Sequence, residues 1–235
     1  MCYKKLDMNQ KIIAIFFDLQ KAFDTVNYPI LLHKLYNCGV RGVMFNWIKN
    51  YLTDRKQYTV VNGVKSDIDD ISCGVPQGSV LGPLLFLVYV NDIYKAVPDG
   101  ELKLFADDTN LFLSGPNLQL LEKKANLCLK NMEEWFISNK LAINNDKTFY
   151  MVFSGKYSPD NDKLKLFIND KPLNKVSNCK YLGVHVDDST KWNYHIDYVY
   201  NKLIKFTSIR YFIKYDIYCL NIACVNFIMH LFILI

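Results

Sequence analysis

Three acidic residues raise the chemical question. Asp18 ends an apolar run, IIAIFFD, over residues 12–18, and Asp107 and Asp108 stand side by side between apolar flanks. Carboxylates gathered at one edge of a sheet repel one another and resist ionisation, a cost that a divalent cation removes. Oxygen donors with no His or Cys nearby suit magnesium or manganese better than zinc. Two such ions about 3.5–4 Å apart clamp both oxygens of an in-line phosphoryl displacement. The same residues have a plainer explanation: Asp is good turn chemistry and commonly follows a strand. Their surroundings must decide.

The elements that would position them follow from periodicity and punctuation. Residues 12–18 are apolar on both faces, as in a central strand covered on each side. Residues 29–38 and 41–53 read as helices, with Pro29 opening the first and Gly39 closing it. A strand is expected at 56–61, with Asn62-Gly63 as its turn. A loop with Pro76 and Gly78 leads into an apolar helix over about 80–96. Residues 102–106 and 109–113 read as a hairpin with Asp107-Asp108 as its two-residue turn. Leu118, Leu121, Ala125, Leu129, Met132 and Phe136 form one face of a helix over 117–139. Strands near 148–153, 164–168 and 180–186 precede a basic helix over 193–213. This order predicts an α+β domain, its antiparallel sheet covered by helices on one face in a ferredoxin-like arrangement.

Composition narrows the classes. The chain has 235 residues, 51% of them hydrophobic, and a net charge of +5, enough for a sizeable core and compatible with a polyanionic partner. Its seven cysteines are scattered and form no C-x-x-C pair, as expected of reduced, mostly buried thiols in an intracellular protein of nucleus or cytoplasm. The N-terminus has no apolar segment of the secretory kind. Cys219–Ile235 is free of charge but short for a membrane span, and it carries Asn221, Asn226 and His230. An orphaned buried helix explains it more simply than a membrane anchor.

Five segments give the acidic residues their context. IAIFFDLQKAFDTVNYPILLHKL, GVPQGSVLGPLLFLVYVNDI, LFADDTNLF, NKLAINNDKTFYMVFS and CKYLGVHVDDSTKWNYHI resemble motifs A to E of non-LTR (LINE-type) retrotransposon reverse transcriptases, in the family's order. The GVPQGSVLGPLLF run is specific on its own. The resemblance implies a polymerase palm over 1–188 and the start of a helical thumb over 189–235. It also implies that the fingers lie upstream, so that this chain is expected to be a fragment. The implied activity is an RNA-directed DNA polymerase using two Mg2+ (or Mn2+) ions, an RNA template, a DNA primer and dNTP.

Residue roles follow by the same resemblance. Asp18 and Asp107 would be the metal ligands, with the Leu19 carbonyl and Asp108 as lesser contributors. Phe23 would pack under the incoming sugar and exclude a ribose 2′-hydroxyl, while Asp24 would be structural, as a helix N-cap. Pro76, Gln77 and Gly78 would contact the nucleotide, and Lys147 would assist the leaving pyrophosphate as a general acid. Tyr181, Leu182 and Gly183 would form the primer grip; Lys191, Lys202, Lys205 and Arg210 would meet phosphates. An alternative expectation is a catalytically silent, nucleic-acid-binding remnant that keeps the fold.

Overall fold

The computed structural model describes residues 2–8, 10–154 and 164–206. A short helix α1 (Cys2–Asp7) packs on strand β1 (Lys11–Phe17). Helices α2 (Tyr28–Asn37) and α3 (Gly42–Leu52) follow, then the short strands β2 (Arg55–Gln57), β3 (Val60–Val61), β4 (Val64–Lys65) and β5 (Asp69–Ile71). Helix α4 (Leu81–Val90) runs into a 3-10 turn, Asn91–Ala96, before the hairpin β6 (Glu101–Phe105) and β7 (Asp108–Gly115). The long helix α5 (Leu118–Ser138) leads to β8 (Phe149–Phe153), β9 (Phe167–Ile168), β10 (Lys171–Pro172) and β11 (Asn174–Lys175). The hairpin β12 (Asn178–Tyr181) and β13 (Val184–Asp187) precedes α6 (Asn193–Phe206). The chain divides into two compact units, one ending at Ser177 and the other beginning at Asn178.

The main sheet has the order β11-β8-β1-β7-β6, with β1 antiparallel to both neighbours and β11 parallel to β8. Counting only β1, β6, β7 and β8, the spatial order is fourth, first, third, second, which is the ferredoxin-like arrangement expected from the sequence. Alternation along β1 sorts its two faces. Ile13, Ile15 and Phe17 join Leu111, Leu113, Tyr150 and Val152 in the main core, where α5 supplies Leu121, Ala125, Leu129, Met132 and Phe136. The face read from the α5 periodicity is therefore the face that is buried. Ile12, Ala14 and Phe16 point the other way and are also buried; Phe16 packs on Phe149 and Phe112. A strand buried on both faces needs the unbroken apolar run that this one has.

Several expectations are corrected by local chemistry. Asn27, not Asp24, caps α2: its side chain accepts the Ile30 N–H at 3.3 Å, and Pro29 sits in the first turn. The strand expected over 56–61 breaks at Tyr58-Thr59 into β2 and β3, while Asn62-Gly63 forms the β3–β4 turn with φ of +52° and +82°. The apolar helix over 80–96 is α-helical only to Val90. Ser79 secures its start by accepting the Gly82 N–H at 2.9 Å. Of the strand expected at 164–168, only Phe167–Ile168 is paired. The strand expected at 180–186 is a hairpin turning at Leu182-Gly183, with φ of +46° and +85°. Helix α6 is described to Phe206; Arg210 and the apolar run Cys219–Ile235 lie outside the described residues. Among the described residues no helix is long and apolar enough to cross a membrane. Four cysteines are described as free thiols: Cys128 and Cys179 are buried, and burial pushes the Cys179 thiol up to about 11, but Cys38 and Cys73 are exposed.

One polar hub ties the first unit together. The Tyr89 hydroxyl donates to the Asn139 carbonyl at 2.6 Å and accepts the Asn27 N–H at 3.3 Å, joining α4 to the C-terminus of α5 and the start of α2. Lys34 donates to the Tyr89 carbonyl and to Asp92, both at 2.6 Å. Burial lowers the Lys34 pKa and Asp92 pushes back, as expected for a desolvated amine kept charged by a partner.

Candidate active site: a carboxylate rim on the central sheet

The last paired position between β1 and β7 is Phe17 opposite Thr109. Asp18 and Asp108 each lie one residue beyond it on their own strands. Neighbouring strands run ~4.8 Å apart, so the two backbones deliver their carboxylates one strand spacing from each other. Both follow the alternation of Phe16 and Asn110, which places them on the sheet face opposite α5. Asp107 stands beside them in the β6–β7 turn.

The turn is shifted from its expected position. Phe105 pairs with Asp108, so the two turn residues are Ala106 and Asp107, and Asp108 belongs to the strand. Ala106 takes φ +53°, a conformation uncommon outside glycine. The inward direction of Leu111 and Leu113 sets the register of β7, and the pairing of β6 fixes the rest.

At Asp108 burial and neighbouring charge act in the same direction. Burial raises the Asp108 pKa first, and the charges of Asp107 and Asp18 raise it further. Among the described residues, no three carboxylate, histidine or cysteine groups stand close enough to form a ready-made ion site. Like-charged carboxylates at a partly solvated rim turn apart unless a cation draws them in. The donor set itself, hard oxygens on neighbouring strands, fits a hard divalent ion.

Asp18 is held from the far side by residues 142–148. Leu19 makes a bridge with Ile143, flanked by the bonds from Gln20 N–H to the Ala142 carbonyl and from Asn144 N–H to the Asp18 carbonyl, both 2.8 Å. That pattern uses the Asp18 carbonyl and turns the Leu19 carbonyl to the opposite side, toward β7. The Asn144 amide also donates to Asp18 Oδ2 at 3.0 Å, and the Asp18 N–H donates to Thr148 Oγ1 at 3.3 Å. Sequence reading singled out Lys147 in this segment and missed Asn144 and Thr148. Only the four-residue spacing of Asn144 and Thr148 could have signalled a local turn. Lys147 itself is exposed.

The second sequence cluster docks on the first through backbone. Val75 N–H donates to the Phe23 carbonyl and Gly74 N–H to the Val26 carbonyl, each at 2.8 Å. Gly74 has φ +89°, and a Cβ there would sit 2.7 Å from the Asp24 carbonyl oxygen, so only glycine fits. Gln77 Nε2 donates to Asp24 Oδ1 at 3.0 Å, giving Asp24 a role that the sequence did not reveal. The Phe23 ring packs at a tilt of 31° on buried Phe86 with centroids 4.7 Å apart, and Gln77 and Gly78 are exposed. Asp18, Asp107, Asp108 and Leu19 thus share one rim, and Phe23, Pro76, Gln77 and Gly78 share a neighbouring set of loops.

The second unit carries the remaining candidates. Tyr181 ends β12 opposite Val184, Leu182 and Gly183 form the turn of the hairpin, and Lys191 and Lys202 are exposed. Lys205 lies on α6. A basic, aromatic surface joins hairpin to helix. Lys180 bonds to the Tyr198 hydroxyl at 3.5 Å, Lys180 and Lys202 both lie over the Tyr198 ring, and together they lower its pKa. His185 packs on the same ring at 4.7 Å. Behind it Asp187, 3% exposed, accepts the N–H groups of Lys191 and Trp192 at 3.1 and 2.9 Å and the Ser189 hydroxyl. Burial works to raise its pKa, but these donors outweigh burial and hold it below the usual value.

Known proteins resemble this chain in sequence and in fold. Residues 3–186 match the family model described as reverse transcriptase (RNA-dependent DNA polymerase). The RNA-directed DNA polymerase from the mobile element jockey of Drosophila melanogaster is 27% identical over 81% of this chain and 21% of its own length. The probable RNA-directed DNA polymerase from transposon BS of the same organism is 32% identical over 78% of this chain and 21% of its own. A retrovirus-related Pol polyprotein from the type-1 retrotransposable element R2 of Popillia japonica is 27% identical over 73% and 30%. The chain therefore spans about a fifth to a third of these relatives. Among solved structures, apo telomerase from Candida tropicalis superposes with a TM-score of 0.52 at 16% identity, over 77% of this chain and 34% of that one, a likeness of fold. With the family model spanning most of its length, the chain belongs to the reverse transcriptase family.

Proposed function

We propose that this chain carries the catalytic palm of an RNA-directed DNA polymerase of a non-LTR retrotransposon. It would join a dNTP to the 3′-hydroxyl of a DNA primer along an RNA template. The observation that supports this most is the register that delivers Asp18 and Asp108 to one rim beside Asp107. A bond forms between the primer 3′-oxygen and the α-phosphorus, the bond to the β-phosphate oxygen breaks, and pyrophosphate leaves. A pair of divalent ions, magnesium or manganese, held by Asp18 and Asp107 with Asp108 and the Leu19 carbonyl, would supply charge neutralisation and a more acidic 3′-hydroxyl.

The other residues bind and orient. Phe23, held by its contact with Phe86, would leave no room for a ribose 2′-hydroxyl. Pro76 and Gly78 would let backbone approach the nucleotide, and the Gln77 amide, steadied by Asp24, would face its sugar or phosphates. Lys147 would give a proton to the departing pyrophosphate. In the second unit the Tyr181–Gly183 turn would hold the primer strand. Lys191, Lys202, Lys205 and Arg210 would meet phosphates as the thumb begins near residue 189.

Primer extension by the full chain, with an RNA template, a DNA primer, dNTP and magnesium, tests the proposal. Incorporation that disappears in Asp107→Asn is expected. Incorporation that persists in that variant overturns it. The Lys180–Tyr198–Lys202 surface favours a second reading, a nucleic-acid-binding domain that performs no chemistry. Tight, salt-sensitive binding without any incorporation is its signature.

A further inference from the structure

We infer that Asn144 and Thr148 are positioning residues for Asp18, which decide the carboxylate oxygen left to hold a divalent ion. This rests on the carboxylate-rim reading above and deepens it.

Four hydrogen bonds close a ring around Asp18. Its N–H donates to Thr148 Oγ1 at 3.3 Å, and that hydroxyl donates onward to the Asn144 carbonyl at 2.8 Å. The Asn144 N–H returns to the Asp18 carbonyl at 2.8 Å, and the Asn144 amide reaches Asp18 Oδ2 at 3.0 Å. Backbone and side chain of Asp18 are therefore fixed by the same two residues. Thr148 is fully buried, so its hydroxyl cannot trade these partners for water. Asn144 has its backbone tied on both sides, which leaves its amide few torsions to lose on reaching Asp18.

The chemistry of the donor matters as much as its position. A lysine or arginine here would neutralise Asp18 and compete with a metal ion for it. A neutral amide orients the carboxylate and leaves its charge intact. With Oδ2 occupied by the amide, Oδ1 is the oxygen presented to an ion. Partners of this kind set the direction and basicity of metal ligands, and losing one typically lowers metal affinity roughly 10–100-fold.

Direct titration of the full chain with Mn2+, followed by the electron paramagnetic resonance signal of the free ion, tests this without reference to activity. Asn144→Ala is expected to raise the half-saturating Mn2+ concentration roughly tenfold or more. Thr148→Val should do the same, and Thr148→Ser, which keeps the hydroxyl, should stay near the parent chain. Circular dichroism and thermal melting confirm that each variant is folded. Where Asn144→Ala fails to fold, Asn144→Ser asks the same question with a smaller polar side chain. Asp18→Asn separates the two readings. Weakening by both Asn144→Ala and Asp18→Asn supports the inference. Weakening by Asp18→Asn with an unchanged Asn144→Ala overturns the positioning role and leaves the rim standing. An unchanged Asp18→Asn overturns both.

Discussion

The acidic rim and the basic surface of this protein are built on opposite plans. Asp18 is fastened by Asn144 and Thr148, 126 and 130 positions further along the chain. In the second unit, Asp187 is fastened by residues two to five positions away, and Tyr198 meets Lys180 across 18. Contacts at long separation exist only once the whole sheet has formed, whereas local ones need little more than a hairpin and a helix turn. The acidic rim is therefore a property of the entire first unit, and the basic surface is close to a property of one segment.

The sharpest way to break this contrast is to strike the rim directly. Asp18→Asn removes a carboxylate without changing its shape, and nucleotide incorporation should fall by at least about a thousandfold, ~4 kcal/mol of barrier, while the melting temperature stays near that of the parent. Substitutions remote from the rim should also disable it if it depends on the entire sheet. Leu129→Ala empties a fully buried site on α5 and should cost about 2–5 kcal/mol in urea unfolding. Leu127→Ala on the same helix, at 60% exposed, should change stability by less than about 0.5 kcal/mol. Gly74→Ala, which forces a Cβ against the Asp24 carbonyl in a left-handed conformation, should cost about 2–4 kcal/mol and reduce incorporation in step.

Smaller effects should mark the second unit. Asp187→Asn keeps the shape but weakens the donors' partner, at a cost of about 1–3 kcal/mol at neutral pH. The sign follows from the depressed pKa: the Asp187 carboxylate stabilises the fold above its unfolded-state value of 3.8, and that contribution is lost as pH falls through the lower folded value. Stability profiles of the two chains should thus converge in strong acid and separate above about pH 4. The smallest effect belongs to a single surface cation. Lys202→Ala should weaken nucleic-acid binding uniformly across sequences and reduce the salt dependence by about one unit of slope.

The same contrast explains what was legible in the sequence. β1 and α5 announce themselves because their periods record the faces they bury. The Asn62-Gly63 turn does so because its residue types meet a local φ requirement. That Asp18 and the Asp107-Asp108 pair lie at one rim was expected on condition that their strands are neighbours, and β1 and β7 are paired. The exact turn was not legible, because the register of β7 is set by Leu111 and Leu113 packing on distant residues, and this moves the turn to Ala106-Asp107. Asp24 looked like a cap because Asp favours that role, but Asn27 lies nearer Pro29 and takes it. Asn144 and Thr148 carried no signal as anchors of Asp18, since they lie 126 and 130 positions away from it along the chain. The hairpin inside residues 178–187 was hidden because Leu182 accepts a positive φ that its residue type does not advertise.

The central place of β1 has a consequence for how the molecule breathes. Its amides are bonded on both sides, to β7 and to β8, while β6 is an edge strand whose outer groups face away from the sheet. Opening should begin at the edge and reach the middle last, so deuterium should enter the backbone of Glu101–Phe105 well before that of Ile13–Phe17. The two halves of the rim would then keep different time: the anchor of Asp18 stays shut while the turn bearing Asp107 flickers, and the rim would loosen and re-form from the hairpin side.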